Sequence, residues 1–275
     1  MNFKVHQALM ATFHPGLPLI YLLRKLPLSI GFELRLEIDG VHRPYYGYCL
    51  LQAAIEARRL GIERISAMEF GVAAGHGLIQ LEKLAEQVSR VTGVAIDVYG
   101  FDLEIGLPAP ADYRDLPYIW QKDFYKMDKA ALEKKIKPET RLVLGDVSKT
   151  VPTFIAKDFA PIGFVAFDLD YYTSTRDAFK LFDCDQKKLL PRVFCYFDDV
   201  VGTDEEILCD DVGELLAMRE FNTRHENQKI QKINGLIHKR IIKAAWCDMI
   251  YVLHNFTHTQ YNRYIYHKED RQSRL

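Results

Sequence analysis

The chain has 275 residues, 48% of them hydrophobic, with 36 Lys plus Arg against 37 Asp plus Glu and a formal net charge of -1. That length suits one large domain or a domain with an appendage, and a fold of this size buries about 75% of its unfolded surface without disulfides or a structural metal. The even charge balance lacks the broad basic field that duplex nucleic acid requires, so no nucleic-acid partner is expected. Cys49, Cys184, Cys195, Cys209 and Cys247 are widely spaced and include no C-x-x-C pair, a pattern that fits reduced thiols in a cytoplasmic protein. The opening MNFKVHQALMATFHPG holds no readable secretory signal. Residues 16–32 are too interrupted by Pro18, Arg24, Lys25 and Pro27 to span a bilayer.

Residues 1–44 read as an N-terminal extension packed on the domain or on a partner subunit, and residues 45–275 as the domain itself. From Tyr45 onward, helix-like and strand-like segments alternate. Leu50, Ala53, Ala54 and Ala57 recur at helical spacing before Arg58 and Arg59, and Gly61 supplies a stop. Residues 64–70 form a short strand with Glu69 at its carboxyl end. Leu81, Leu84, Ala85 and Val88 then share one helical face. A second strand, residues 95–101, ends at Asp102. A long excursion rich in Pro and aromatic residues follows over 107–127, a length that marks lids and binding loops. A charged helix over 128–135 precedes a strand over 141–144 that closes on Gly145-Asp146. Residues 161–167 and 192–197 are near-continuous apolar runs, as strands buried on both faces should be. Helices over 174–182 and 204–221 and a strand over 248–254 complete the set. Together these predict an α/β fold with a mainly parallel central sheet and helices on both faces.

In such a sheet, ligands bind beyond the carboxyl ends of the strands. Four strands place acids there: Glu69, Asp102, Asp168 with Asp170, and Asp198 with Asp199. The first strand runs into Glu69-Phe-Gly71-Val-Ala73-Ala-Gly75-His76-Gly77, where glycines allow close backbone approach to a ligand and open a helix with free N–H groups. A dinucleotide G-x-G-x-x-G begun at Gly71 would need glycine at Ala73 and His76, which weakens a hydride-transfer reading. Several carboxylates converging on one cleft repel one another unless protonated or joined by a cation. All-oxygen ligation favours a hard divalent ion, Mg²⁺ by default. The alternative is that Asp170 caps a helix beginning near Tyr172 and Asp198 the next one.

The E-x-G-x-x-x-G-x-G turn resembles motif I of class I S-adenosylmethionine-dependent methyltransferases. Gly100-Phe-Asp102-Leu-Glu-Ile-Gly106-Leu-Pro108 is similar to the G-F-D-x-x-x-G-L-P signature of the macrocin O-methyltransferase group and its cephamycin-biosynthesis relatives, and Gly145-Asp146 to their G-D element. The resemblance implies that Glu69, Gly71, Gly75 and Gly77 line the methionine side of S-adenosylmethionine, that Asp102 holds the ribose hydroxyls and that Asp146 faces adenine. It also implies Asp168, Asp198 and Asp199 as ligands of Mg²⁺, with Asp170 behind them or as an alternative ligand, and a self-associating homo-oligomer. The activity implied is methyl transfer to a hydroxyl of a sugar or another small polyhydroxylated metabolite, with Asp168 catalytic.

A general base is required beside the acceptor. His76, in the glycine turn, and His225, after the acidic helix, are the two candidates. His254 and His258 have zinc-like spacing on a segment that reads as strand, and are taken as structural. Tyr113, Tyr118, Trp120, Phe124 and Tyr125 form either an acceptor wall or a cluster beneath the loop. Arg43-Pro44-Tyr45-Tyr46 either closes the cofactor pocket or starts a helix. Two rival functions remain: a metal-dependent glycosyltransferase using Asp168-x-Asp170 for a nucleotide-sugar, and a cofactor-binding protein without turnover.

Overall fold

A computed structural model of the chain describes residues 31–265; the readings that concern residues 1–30 and 266–275 lie outside them. The elements run α1 (Phe32–Glu37), α2 (Pro44–Leu60), β1 (Arg64–Phe70), α3 (His76–Thr92), β2 (Ala95–Asp102), α4 (Lys129–Glu133), β3 (Arg141–Leu144), α5 (Val147–Ile155), β4 (Ile162–Phe167), α6 (Tyr172–Ala178), β5 (Leu189–Phe197), α7 (Gly213–Arg224), β6 (Gln228–Lys232), α8 (Leu236–Lys239) and β7 (Ile250–Asn255). The sheet order is β3-β2-β1-β4-β5-β7-β6. Its first five strands are parallel, and β7 runs antiparallel to both of its neighbours. The fold is therefore Rossmann-like α/β, and the chain reverses between β1 and β4, where the strand order leaves a crevice at the carboxyl ends.

Alternation along the strands divides the core in two. On one face Ala67, Phe164 and Ala166 pack beneath Leu50, Ala53 and Ala57 of α2 and Leu78, Leu81 and Val88 of α3. On the other, Met68, Phe70, Val165 and Phe167 meet Phe154 of α5 and Leu216 and Phe221 of α7. β4 is buried along its whole length and β1 everywhere but Arg64, which explains their unbroken apolar runs. Gly61, at φ +78°, ends α2 as the sequence predicts, its N–H turned back to the last carbonyls.

Phe101, Phe70, Phe167 and Phe197 stack across β2, β1, β4 and β5, with ring centroids 4.3, 5.4 and 4.9 Å apart. The parallel register pairs Phe70 with both Phe101 and Phe167, and Phe167 with Phe197. Each ring contributes about 1.5–3 kcal/mol by burial and about 0.5–1.5 kcal/mol more per stacked pair. The ladder also sets the site, because the next residue on each strand (Asp102, Gly71, Asp168, Asp198) falls at the same level of the sheet edge.

Several elements differ from the sequence reading. The helix expected over 204–221 begins only at Gly213. Asp204, Glu205 and Glu206 are adjacent like charges, and Ile207 is 74% exposed, so no apolar face draws that stretch into a helix. The helix expected over 174–182 starts at Tyr172 and tightens to a 3₁₀ turn at Phe179–Asp183. β5 begins three residues early, at Leu189. The partners of Ile162 and Phe164 are Leu189 and Phe194, so β5 carries extra residues at an irregularity that accommodates Pro191. The sequence reading has no counterpart for helices α1, α5 and α8 or for the edge strand β6. Within the stretch read as an N-terminal extension, Phe32 and Leu36 join the α2 core. Arg240 there donates to the Leu36 carbonyl at 2.6 Å and pairs with Glu37 at 2.8 Å.

Candidate active site

A cavity of about 640 Å³ opens beyond the phenylalanine ladder, within the range of small-molecule sites. It extends from Gly71, Ala73 and Asp102 past Gly145–Ser148 on one side to Asp168, Asp198 and Asp199 on the other. The loop between β2 and α4 forms its roof.

Gly71 has φ +88°, and a Cβ there would lie 1.7 Å from the carbonyl oxygen of Asp168. Glycine is thus required for β1 to pass the end of β4. Asp102 is fixed by two backbone donors, Ala73 N–H at 2.8 Å to one carboxylate oxygen and Glu104 N–H at 2.6 Å to the other. Each oxygen keeps a lone pair for a further donor. Asp146 caps α5, accepting the Ser148 N–H at 2.8 Å, and still lines the cavity.

Three of the residues expected beside the methionine moiety do not line the cavity. Glu69 is 1% exposed and points beneath α3, where Tyr46 Oη donates to its Oε1 at 2.7 Å. Its Oε2 has no hydrogen-bond partner. Gly77 makes room for it, since a Cβ at 77 would lie 1.7 Å from Glu69 Oε1, and a Cβ at Gly75 would meet Leu132 at 2.2 Å. These two glycines serve packing. Burial, opposed by the Tyr46 hydroxyl and the Arg43 charge, pushes the Glu69 carboxyl up to about 7.

Asp168, Asp198 and Asp199 each offer an oxygen within 4.8 Å of the other two. Neither Asp170 nor Asp198 caps a helix. Asp170 lies at φ +58°, its own N–H bonded to Asp199 Oδ2 at 2.8 Å, while the Thr173 N–H at the start of α6 is capped by Asp115. Asp198 accepts the Tyr196 hydroxyl, and Asp199 N–H donates to Glu214 Oε2 at 3.1 Å. Burial, then repulsion from neighbouring carboxylates, holds the Asp168 and Asp199 carboxyls well above the usual range and Asp170 up to about 8. Closely packed oxygen donors without a matching cluster of cations fit a hard divalent ion.

Neither histidine proposed as a base reaches this cavity. His76 is exposed at the first turn of α3. His225 ends α7, stacked on Phe221 at 4.0 Å, with Nδ1 against the Phe221 carbonyl. His254 and His258 are held by Tyr261 and the Gln260 N–H, at 2.8 and 3.1 Å. Of the loop aromatics, Trp120 and Tyr125 line the cavity. Tyr118 reaches across to the Glu206 carbonyl, and Tyr113 and Phe124 face outward. Pro44 starts α2, and Tyr45 stacks on Tyr196 at 4.4 Å behind the acidic cluster, outside the cavity wall.

Four supporting residues were missed. Tyr196 was legible in principle, since it precedes Asp198 by the two-residue period of a strand. Tyr46 had only its place in the Arg43-Pro44-Tyr45-Tyr46 cluster. Asp115 bonds Thr173, 58 positions away, and Glu214 reaches Asp199 from a helix 15 positions on; no local signal marks either.

No protein-family profile and no curated protein matches the chain. Among solved structures it is similar to CalS11, a calicheamicin methyltransferase, at TM-score 0.51 and 21% identity over 86% of this chain and 89% of that one. It is also similar to the O-methyltransferase NovP, at TM-score 0.51 and 14% identity over 77% and 80%. The likeness is one of fold: the chain has the Rossmann-like architecture of these methyltransferases.

Proposed function

We propose that the chain is an S-adenosylmethionine-dependent O-methyltransferase that transfers methyl, with Mg²⁺, to a hydroxyl of a sugar or another small polyhydroxylated metabolite. The observation that carries this reading is the common level at which the ladder presents Gly71, Asp102, Asp168 and Asp198 around one cavity, in a fold shared with two methyltransferases.

On this reading Asp102, oriented by the Ala73 and Glu104 N–H groups, accepts the two ribose hydroxyls with its remaining lone pairs. Asp146, with Val147 and Ser148, borders the adenine end. Asp168, Asp198 and Asp199 would hold Mg²⁺, which lowers the pKa of a coordinated hydroxyl and fixes its oxygen. Tyr196 and the Asp170 N–H orient the Asp198 and Asp199 carboxylates. Attack on a sulfonium methyl needs a hydroxyl freed of its proton. Among the described residues the cavity offers carboxylates and no imidazole, so that proton goes to a carboxylate of the cavity and not to His76 or His225. The roof loop is tied down through Asp115 and Tyr118.

The test is transfer of label from methyl-labelled S-adenosylmethionine to a panel of polyhydroxylated acceptors, with chelator and with Mg²⁺ restored. Label transfer that chelation abolishes supports the proposal. Transfer indifferent to chelation removes the metal, and hydrolysis of a nucleotide-sugar without methyl transfer overturns the reading.

A further inference from the structure

The lining of the cavity is one-sided in charge: eight carboxylate side chains and, among the described residues, no Lys, Arg or His. A divalent ion and the singly positive donor neutralise only part of this. Asp102 and Asp146 belong to the donor end and Asp168, Asp198 and Asp199 to the metal, while Asp177 is already paired with Arg176 and Lys180 at 3.1 and 2.9 Å, which leaves Asp170 and Glu206 for the acceptor. Arg43, which acts electrostatically on Asp168, lies over the Tyr45 and Tyr46 rings, 5.9 and 5.0 Å from their centroids, and does not line the cavity. Away from the metal, a phosphate or diphosphate entering here would meet carboxylates and none of the guanidinium or ammonium donors that bind such groups.

The lining near these acids also carries aromatic rings, Tyr125 lying close enough to feel the charges of Asp170 and Glu206. Trp120 and Tyr125 both line the cavity, with ring centroids 6.0 Å apart at a 59° tilt. The Tyr118 hydroxyl bonds the Glu206 carbonyl, and the Glu206 carboxylate accepts the Thr203 N–H at 2.5 Å, so acid and aromatic walls belong to one tied unit. An ammonium group is attracted by both kinds of wall, by the carboxylates through charge and by the ring faces through their quadrupoles.

We propose, resting on the methyl-transfer reading above, that the hydroxyl acceptor is a cationic amine-bearing polyol of the aminocyclitol or amino-sugar class, and not a phosphorylated or nucleotide-linked sugar. Glu206 is the specificity-determining residue that receives the ammonium group.

The test titrates streptamine, inositol and inositol monophosphate into the full chain, once saturated with S-adenosylhomocysteine and Mg²⁺ and once without them. Streptamine is expected to bind at least about tenfold more tightly than inositol, equivalent to about 1.4 kcal/mol. The preference should shrink as salt rises, with the phosphate weakest. Glu206→Gln is expected to reduce the streptamine preference while leaving S-adenosylhomocysteine affinity unchanged. Equal or tighter binding of inositol or its phosphate, or no streptamine binding at millimolar concentration, overturns the proposal. Failure of S-adenosylhomocysteine itself to bind strikes instead at the methyl-transfer reading, and the titration without it still reads the charge preference of the cavity.

Discussion

Glu69 ends β1 wholly inside the protein, with one oxygen on the Tyr46 hydroxyl and the other unpartnered. Because burial raises its pKa in the folded state to about 7 from an ordinary 4.5, the folded chain binds its proton more tightly than the unfolded one. The contribution to stability is therefore complete below about pH 4.5 and is lost as pH rises through about 7. Glu69→Gln, which keeps an acceptor for Tyr46, should be more stable than the parent at pH 8, by on the order of 3 kcal/mol, with the gap closing toward pH 4. Urea unfolding at several pH values checks this; a gap independent of pH would mean that the carboxyl does not titrate there. Asp102 and Asp198 separate the two halves of the site. Asp102→Ala should abolish cofactor binding, whereas Asp198→Ala should spare it and remove metal-dependent activity, as read by paired calorimetry and label transfer. Retention of both affinity and activity in both variants would refute the assignment of roles.

At the scale of elements, the roof loop is held by a residue that no local pattern announces. Asp115 is fully buried, accepts the Thr173 N–H and hydroxyl at 2.9 and 3.1 Å and also takes the Ala111 N–H at 2.8 Å. It thus caps α6 from outside that helix. Asp115→Ala should cost about 1–2 kcal/mol and speed hydrogen exchange in the loop between β2 and α4 more than in the sheet. Uniform protection in the variant would show that other contacts hold the loop. The turn after β1 is equally constrained. Gly71→Ala combines a left-handed φ with a 1.7 Å clash against backbone, so it should cost about 3 kcal/mol or more, visible as a lowered denaturation midpoint. The strands were legible because β1, β4 and most of β5 are buried on both faces and read as apolar runs. The Phe-Asp steps at 101–102, 167–168 and 197–198 carried the site, although their common level emerged only with the register. β6 was not legible, since a five-residue edge strand with Ile230 alone buried leaves almost no pattern.

For the whole molecule, the proposed function requires one cavity, at the crevice of the sheet, to serve donor, metal and acceptor together. What the sequence could convey was the set of acids at strand ends. It could not convey that Glu69 turns inward while Asp102 faces the cavity, because that depends on Tyr46 and α3 closing over the β1 side. Nor could it dismiss His225, whose distance from the cavity follows from how α7 packs. Mg²⁺ bound to the folded chain alone should raise its stability by about 2.7 kcal/mol at a hundredfold excess over Kd. A thermal melt should show that shift for the parent chain and lose it in Asp168→Asn; an equal shift in both would place the ion elsewhere. No helix among the described residues is long and apolar enough to cross a membrane.

The most direct measurement is calorimetric titration of the full chain with S-adenosylhomocysteine, with and without Mg²⁺, against a uridine-diphosphate sugar as control. Micromolar binding of S-adenosylhomocysteine, about -8 kcal/mol, and none of the nucleotide-sugar is the expected result. Binding of the nucleotide-sugar alone, and only with metal present, would contradict it and assign Asp168-x-Asp170 to a glycosyl-transfer site.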